Sequence, residues 1–195
     1  MGNRSDISVI GIGGAGCNFI DYMLELGVGN LRYIVADTDE QSLRNSACTH
    51  RISLGANTKP RPFCHLSPEW CSRAARDDSE LFKQVFHGSD LVIVVAGLGG
   101  DTGSGGAPIV CQLARESGIR VCAVILFPFS FEGRQRRAIA ESSMAGLHEH
   151  TNEVSVTNGD DVIVDKKADM TLKATLKLVN AEMAQKILSM MDAQR

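Results

Sequence analysis

The stretch ISVIGIGGAG, residues 7–16, joins a short apolar run directly to a cluster of glycines. It satisfies the pattern G-x-G-x-x-G at Gly11, Gly13 and Gly16, and Asp37 follows 21 residues after the last of them. Glycines at such a turn let the backbone approach a pyrophosphate, which the N–H groups and dipole of the next helix hold. The stretch predicts a strand, a phosphate-binding turn and a helix. By itself it fits an NAD(P)-binding enzyme, and it also fits a purely structural tight turn.

The rest of the chain alternates between short runs rich in Val and Ile and amphipathic stretches. The runs predict strands at residues 7–12, 31–36, 91–96, 121–127 and 154–157, with a weaker candidate at 51–54. The amphipathic stretches predict helices at residues 17–26, 42–47, 73–86, 105–117 and 134–148, and a terminal helix over about 171–192. This alternation predicts an α/β fold, a Rossmann-like, doubly wound, mostly parallel sheet with helices on both faces. Residues 56–70, with three prolines, are predicted to be irregular.

A second glycine-rich loop follows the run at 91–96. Residues 97–108 read GLGGDTGSGGAP and include six glycines within the first ten positions. So many glycines add conformational entropy to the unfolded chain, which a simple connection would not require. A nest of backbone N–H groups around phosphate is the use we expect, with Thr102 and Ser104 adding hydroxyls. A dinucleotide enzyme has no need of a second cradle, and the Walker pattern G-x-x-x-x-G-K-[ST] is absent.

Composition limits the possible partners. The 195 residues suit a single domain with a terminal helix, and 44% hydrophobic with 22% charged residues is ordinary for a globular protein. The net charge of −3 argues against a nucleic-acid binder or an anionic-membrane binder. No stretch reaches the roughly 18 to 20 apolar residues that a membrane span needs. We therefore expect a cytoplasmic protein with no nucleic-acid partner and no membrane insertion.

The six cysteines do not form a recognisable disulfide framework. Three lie in apolar or small-residue contexts that predict buried thiols in a reducing compartment: Cys17, Cys111 and Cys122. The others belong to a patch that could hold zinc: Cys48, His50, Cys64, His65 and Cys71. Because that patch lacks a C-x-x-C pair, ordinary core or surface roles are the favoured interpretation.

Four ordered motifs resemble those of the FtsZ/tubulin family. Residues 99–105, GGDTGSG, resemble its signature GGGTGTG or GGGTGSG, with Asp101 in place of the third glycine. Residues 13–18, GGAGCN, are similar to the first glycine loop GGGGxN, and residues 37–43, DTDEQSL, to the FtsZ run NTDxQxL. Residues 128–136, PFSFEGRQR, resemble PFxFEGxxR. Together the motifs favour FtsZ over eukaryotic tubulin. The resemblance extends from Ile7 to about Asn180.

The resemblance implies a guanine nucleotide, GTP or GDP, with Mg²⁺ possible beside GTP. The first loop would hold the α- and β-phosphates through Gly13, Gly14, Ala15 and Gly16. The second would wrap the phosphate chain through Gly99, Gly100, Asp101, Thr102, Gly103, Ser104 and Gly105. Glu132 would accept hydrogen bonds from the ribose, Arg136 would lie near ribose or phosphate, and Asn18 and Asn158 would contact guanine. Glu132 and Arg136 are also spaced as a plain exposed i,i+4 helix pair.

The sequence departs from the family pattern in four respects. Residues 63–71 replace the glycines of the loop that senses the γ-phosphate with Phe63, His65 and Cys71. Asn180 falls where FtsZ has an acidic residue that recognises guanine, with Glu182 the nearest acid. Asp101 adds a carboxylate to the phosphate loop, where it could ligate Mg²⁺. The family's second domain, whose leading loop activates water on a neighbouring nucleotide, is expected to be absent.

We therefore predict a guanine-nucleotide-binding, FtsZ-like protein linked to bacterial cell division or cytoskeletal filament assembly. Its GTPase site is expected to be incomplete, so hydrolysis by the chain alone should be negligible. A full-length FtsZ homologue, contacted through the nucleotide face, is the expected protein partner. A self-sufficient GTPase is the alternative, and a Rossmann NAD(P)-binding enzyme is a weaker one.

Overall fold

The computed structural model describes residues 6–56, 66–164 and 171–192. Its strands are β1 (Ile7–Ile12), β2 (Leu31–Asp37), β3 (His50–Ser53), β4 (Leu91–Gly97), β5 (Arg120–Phe127) and β6 (Glu153–Asn158). They form one sheet in the order β3-β2-β1-β4-β5-β6, and every neighbouring pair is parallel. All of β1 and the first six residues of β4 are buried. Continuous burial explains why these strands are apolar at every position rather than at alternate ones.

The described residues form eight α-helices: α1 (Gly13–Glu25), α2 (Glu40–Asn45), α3 (Pro68–Asp77), α4 (Ser79–Phe86), α5 (Asp101–Glu116), α6 (Arg134–His150), α7 (Gly159–Val164) and α8 (Leu172–Asp192). The first six lie between strands, and the last two follow β6. A 3₁₀ turn, Ser130–Glu132, precedes α6. Phe19 of α1 and Met183 of α8 belong to the core on one face of the sheet. Phe82 of α4, Val110 of α5 and Leu147 of α6 belong to the core on the other. The predicted doubly wound α/β fold with a long terminal helix is confirmed.

The sheet reverses its direction of growth between β1 and β4. From β1 the chain continues outward to β2 and β3, whereas β4 leads to β5 and β6 on the other side. Consecutive connections therefore leave the carboxyl ends of β1 and β4 toward opposite faces. A doubly wound sheet places its ligand crevice at such a reversal.

Helices α1 and α5 begin four residues earlier than predicted, inside the glycine loops themselves. A Cβ at Gly16 would lie 2.6 Å from the Val95 carbonyl oxygen, and one at Gly103 would lie 2.2 Å from the Gly97 oxygen. The first turns of both helices thus pack directly on strand backbone, which only glycine allows. The loops predicted from the glycine content are in fact helix N-termini.

The helix predicted at residues 73–86 is two helices that meet at Asp78. The buried Asp78 carboxylate accepts a hydrogen bond from the Gly55 N–H at 2.7 Å, and this residue ends α3 and precedes α4. The irregular segment predicted at 56–70 was too long, because α3 already begins at Pro68. Ser67 accepts a hydrogen bond from the Trp70 N–H, and proline at the first helical position is typical of such a start. Phe63, Cys64 and His65 lie outside the described residues.

The five cysteines in the described ranges are free and buried: Cys17, Cys48, Cys71, Cys111 and Cys122. Burial raises the pKa of Cys17 to about 12. Cys48 donates from Sγ to the Tyr33 carbonyl oxygen at 3.3 Å. Within residues 6–56, 66–164 and 171–192 no three His, Cys, Asp or Glu side chains are grouped so as to hold a metal ion. No helix in those ranges is long and apolar enough to cross a membrane.

Candidate functional site

A cavity of about 290 Å³ opens at the carboxyl ends of β1, β4 and β5, between the N-termini of α1 and α5. Nine predicted site residues line it: Gly13, Gly14, Ala15, Gly100, Asp101, Thr102, Gly103, Glu132 and Arg136. Five further lining residues were not predicted to act: Ile12, Gly97, Leu98, Leu126 and Pro128. They occupy strand ends and the turn after β5, so adjacency to the glycine and PFxFEG motifs was the signal available in the sequence.

Two helix N-termini face this cavity without a side-chain cap. The N-cap residues are Ile12 for α1 and Gly100 for α5, and neither provides a side-chain hydrogen bond. The first-turn N–H groups of a helix have no intrahelical acceptor, and they carry the positive end of the helix dipole. A cavity between two such ends is suited to a multiply charged anion.

The glycines of the two loops divide into two groups. Gly13 has a φ of +72°, and a Cβ there would lie 3.1 Å from the Gly103 nitrogen, so packing between the loops accounts for it. In contrast, no protein atom lies within 4 Å of a Cβ built at Gly14 or Gly100, although both residues line the cavity. Neither has a positive φ that would require glycine. Neither packing nor backbone conformation accounts for glycine at these two positions, and the open space leaves room for a ligand to approach the backbone closely.

Asp101 and Thr102 provide the polar side chains at the start of α5. In the part of the chain that the structure describes, the Asp101 carboxylate makes no hydrogen bond or ion pair, although it lines the cavity. The Thr102 hydroxyl is 2.8 Å from the Thr38 hydroxyl. The predicted contribution of Ser104 differs, because its buried hydroxyl accepts a hydrogen bond from the Gly99 N–H at 2.8 Å. Ser104 thus holds the loop in shape rather than facing the cavity.

Glu132 and Arg136 form an ion pair in the lining of the cavity. Glu132 Oε2 lies 2.5 Å from Arg136 Nη1, and Oε1 accepts a hydrogen bond from the Phe129 N–H at 3.0 Å. The two residues do have the i,i+4 spacing of an ordinary helix pair, but both line the cavity. The pair is electrically neutral, so Asp101 leaves the charged side chains of the lining with a net charge of −1.

Seven predicted site residues do not line the cavity: Gly16, Asn18, Gly99, Ser104, Gly105, Asn158 and Asn180. The glycines among them are required by packing. A Cβ at Gly105 would lie 2.1 Å from the Pro68 carbonyl oxygen, and one at Gly99 would lie 3.0 Å from the Arg136 oxygen. Gly105 thereby lets α3 and α5 touch, and Gly99 brings the start of α6 against the second loop.

The three asparagines lie on different elements. Asn18 is exposed on α1, Asn158 ends β6, and Asn180 is half-buried on α8. Asn158 Oδ1 accepts a hydrogen bond from the Asp160 N–H at 3.3 Å, so its carbonyl side already has a partner. Glu182, the acid nearest to Asn180 in sequence, pairs with Lys186 at 2.8 Å and accepts from Thr157. That acid is thus engaged by the chain itself.

Comparisons with known proteins agree with this architecture. The family profile described as "Tubulin/FtsZ family, GTPase domain" matches residues 6–163. The cell division protein FtsZ of Buchnera aphidicola subsp. Acyrthosiphon pisum is 34% identical over 84% of this chain and 42% of its own length. That of Pseudomonas aeruginosa is 35% identical over 86% of this chain and 43% of its own. The chain therefore spans less than half the length of these relatives.

Solved structures show the same fold. The M. jannaschii structure described as "FtsZ dimer, empty" superposes with a TM-score of 0.87 at 27% identity, covering 97% of this chain and 55% of that one. CetZ1 of Haloferax volcanii, at 22% identity and a TM-score of 0.77, shares the fold. With the profile match over most of the chain, the two glycine loops and the crevice between β1 and β4, these findings establish that the chain belongs to the Tubulin/FtsZ family, through its GTPase domain.

Proposed function

We propose that this chain binds GTP or GDP, with the phosphates in the cavity between α1 and α5. The observation that carries the proposal is the pair of uncapped helix N-termini facing a cavity where Gly14 and Gly100 leave open space. The first-turn N–H groups would donate to phosphate oxygens. Gly13, Ala15 and Gly103 complete the backbone surface.

A divalent cation fits the charge of the site. A nucleoside triphosphate brings several negative charges to a lining whose charged side chains already sum to −1, and Asp101 has no cationic partner in the described residues. Carboxylate oxygens are preferred ligands of Mg²⁺, which usually binds through one or two of them together with substrate phosphates. We propose that Asp101 holds Mg²⁺ when GTP is bound. The ion would neutralise charge between the carboxylate and the phosphates.

The remaining contacts that we propose are those that the family resemblance implies. Glu132, at the cavity edge with Arg136, would accept hydrogen bonds from ribose hydroxyls, and Arg136 would then approach ribose or phosphate. Asn18, Asn158 and Asn180 would contact the base. An asparagine supplies one acceptor and one donor group but no charge, so guanine would be recognised less strictly than by a carboxylate.

We further propose that the chain hydrolyses GTP negligibly by itself. Of the two carboxylates that line the cavity, Glu132 is engaged at both oxygens, and Asp101 would face a cation or phosphate rather than a water. The relatives named as cell division proteins suggest a role in division or in filaments. On this proposal the chain contacts a full-length FtsZ homologue through the face that carries the nucleotide.

The first experiment is to identify the nucleotide that co-purifies with the protein, by denaturing it and analysing the supernatant by mass spectrometry. Titration calorimetry of the emptied protein with GDP, GTP, ADP and NAD⁺ follows. We expect guanine nucleotides to bind and the other two to bind more weakly. A protein that binds none of the four, or that prefers NAD⁺, would refute the proposal. Phosphate release and light scattering with GTP test the hydrolysis and filament statements separately.

A further inference from the structure

Thr38 and Thr102 make a side-chain contact across the sheet reversal. Thr38 follows β2 and Thr102 is the second residue of α5, 64 positions later, yet their hydroxyl oxygens are 2.8 Å apart. Both residues are half-buried. Thr102 lines the cavity, whereas Thr38 does not. Thr38 can therefore influence the cavity only through a neighbour that reaches it.

The Thr102 side chain is also held by two other elements. A Cβ at Gly13 would lie 3.3 Å from the Thr102 Cβ, so the start of α1 packs closely against it. Burial raises the pKa of the Cys71 thiol on α3 to about 11, and the nearby Thr102 side chain opposes that rise. Thr102 thus meets Thr38 from the β2–α2 loop, Cys71 from α3 and Gly13 from α1. Its hydroxyl orientation is set by groups outside the cavity.

We infer that Thr38 is a positioning residue, whose hydroxyl fixes the Thr102 hydroxyl at the first turn of α5 and so raises the affinity for the nucleotide phosphates. The inference rests on the proposed function, because it concerns the same cavity. Without the Thr38 hydroxyl, the Thr102 hydroxyl loses one of its side-chain partners. It can then rotate away from the ligand. We expect this loss to weaken nucleotide binding and to leave the stability of the fold largely unchanged.

The test is a double-mutant cycle on the full chain, with the dissociation constant for GDP measured by calorimetry. Thr38→Val keeps the shape and removes the hydroxyl, and we expect the dissociation constant to rise about 3- to 10-fold, the range of one hydrogen bond. Thr38→Ser should stay within about twofold of the parent. In a Thr102→Val background, Thr38→Val should have no further effect, since the residue it acts through has lost its hydroxyl.

Thr49→Val is the matched control, because Thr49 lies at the amino ends of the strands, away from the cavity. This variant should bind GDP like the parent. Unchanged affinity in Thr38→Val would overturn the inference, as would an equal loss in the Thr102→Val background. If Thr38→Val folds poorly, the pair Thr38→Ala and Thr38→Ser gives the same comparison, and equal affinities in that pair would also overturn it. A parent protein that binds no nucleotide refutes the proposed function instead, so the two failures are distinguishable.

Discussion

The two ends of the sheet each have a cavity, and the larger one is the less informative. At the amino ends of β1, β2 and β3 a cavity of about 520 Å³ is lined by residues such as Arg32, Tyr33 and Cys48. Arg32 donates to the Val85 and His87 carbonyls, and the Tyr33 hydroxyl donates to the Val28 carbonyl. At the carboxyl ends the cavity is about 290 Å³.

The difference lies in the helix N-termini at the carboxyl end rather than in the volume. We call the cavity at the carboxyl ends of the strands the carboxyl-edge cavity and the one at their amino ends the amino-edge cavity. Two helix N-termini without side-chain caps face the carboxyl-edge cavity, and the Asp101 carboxylate in its lining has no partner in the described residues. The first-turn N–H groups of such helix ends can donate hydrogen bonds to a bound anion. At the amino-edge cavity, Arg32 and Tyr33 donate to backbone carbonyl oxygens of the chain itself. Size alone would have selected the end of the sheet that lacks the two glycine loops.

The largest expected effect tests the open space at Gly14 and Gly100. Each substitution to Ala should raise the dissociation constant for GDP by about 10- to 100-fold, because a methyl group displaces charge-assisted hydrogen bonds between backbone N–H and phosphate. The free energy of unfolding of the apo protein should stay unchanged or, for Gly14→Ala, rise by up to about 1 kcal/mol. Calorimetry and urea unfolding measure the two quantities.

The amino edge supplies matched controls for that test. A Cβ at Gly29 also meets no protein atom within 4 Å, so Gly29→Ala repeats the chemistry beside the other cavity. Ala47→Leu adds volume to the lining there. Both should leave the GDP affinity within about twofold of the parent. Comparable losses at the two edges would break the distinction between the cavities.

A smaller effect is expected at Asp101. Replacing it with Gly or Asn removes a negative charge near the phosphates, so GTP should bind about tenfold more tightly when Mg²⁺ is chelated. Added Mg²⁺ should then improve GTP affinity less than it does in the parent protein. Asp6→Asn removes one charge beside the amino-edge cavity and should change neither quantity. Mg²⁺ dependence that is identical in the parent and in Asp101→Asn would contradict the assigned role.

The smallest effect concerns the buried thiols found near both edges. Burial raises the pKa of Cys71 from 9.0 to about 11, and it also raises the pKa of Cys48. Because the folded pKa exceeds the unfolded one, the stability from the neutral Cys71 thiol is complete below pH 9 and is lost as the pH rises toward 11. Urea unfolding should show this decline, and Cys71→Ala should make it shallower. If the free energy of unfolding fell equally steeply with pH in Thr49→Val and in Cys71→Ala, the assignment of the decline to Cys71 would be contradicted.

Much of the fold was predictable because its signals are local. Strands such as β1 and β4 are continuous apolar runs of the length that a strand buried on both faces requires, and the structure changes their ends by at most one residue. The division at Asp78 was not predictable in the same way. It depends on a hydrogen bond to Gly55, 23 positions earlier, which leaves no periodic pattern in the sequence.

The sequence by itself determined where the glycine loops fall, and two such loops after apolar strands predict backbone binding of phosphate. Only the tertiary structure decided which glycines face the cavity and which pack against the chain. Gly14 and Gly105 look alike in sequence, yet Gly14 borders open space in the cavity and Gly105 lies against the Pro68 carbonyl oxygen. Likewise Thr38 received no role from its motif until the fold placed it against Thr102. Such distinctions depend on contacts between residues far apart in the chain, which local propensity does not encode.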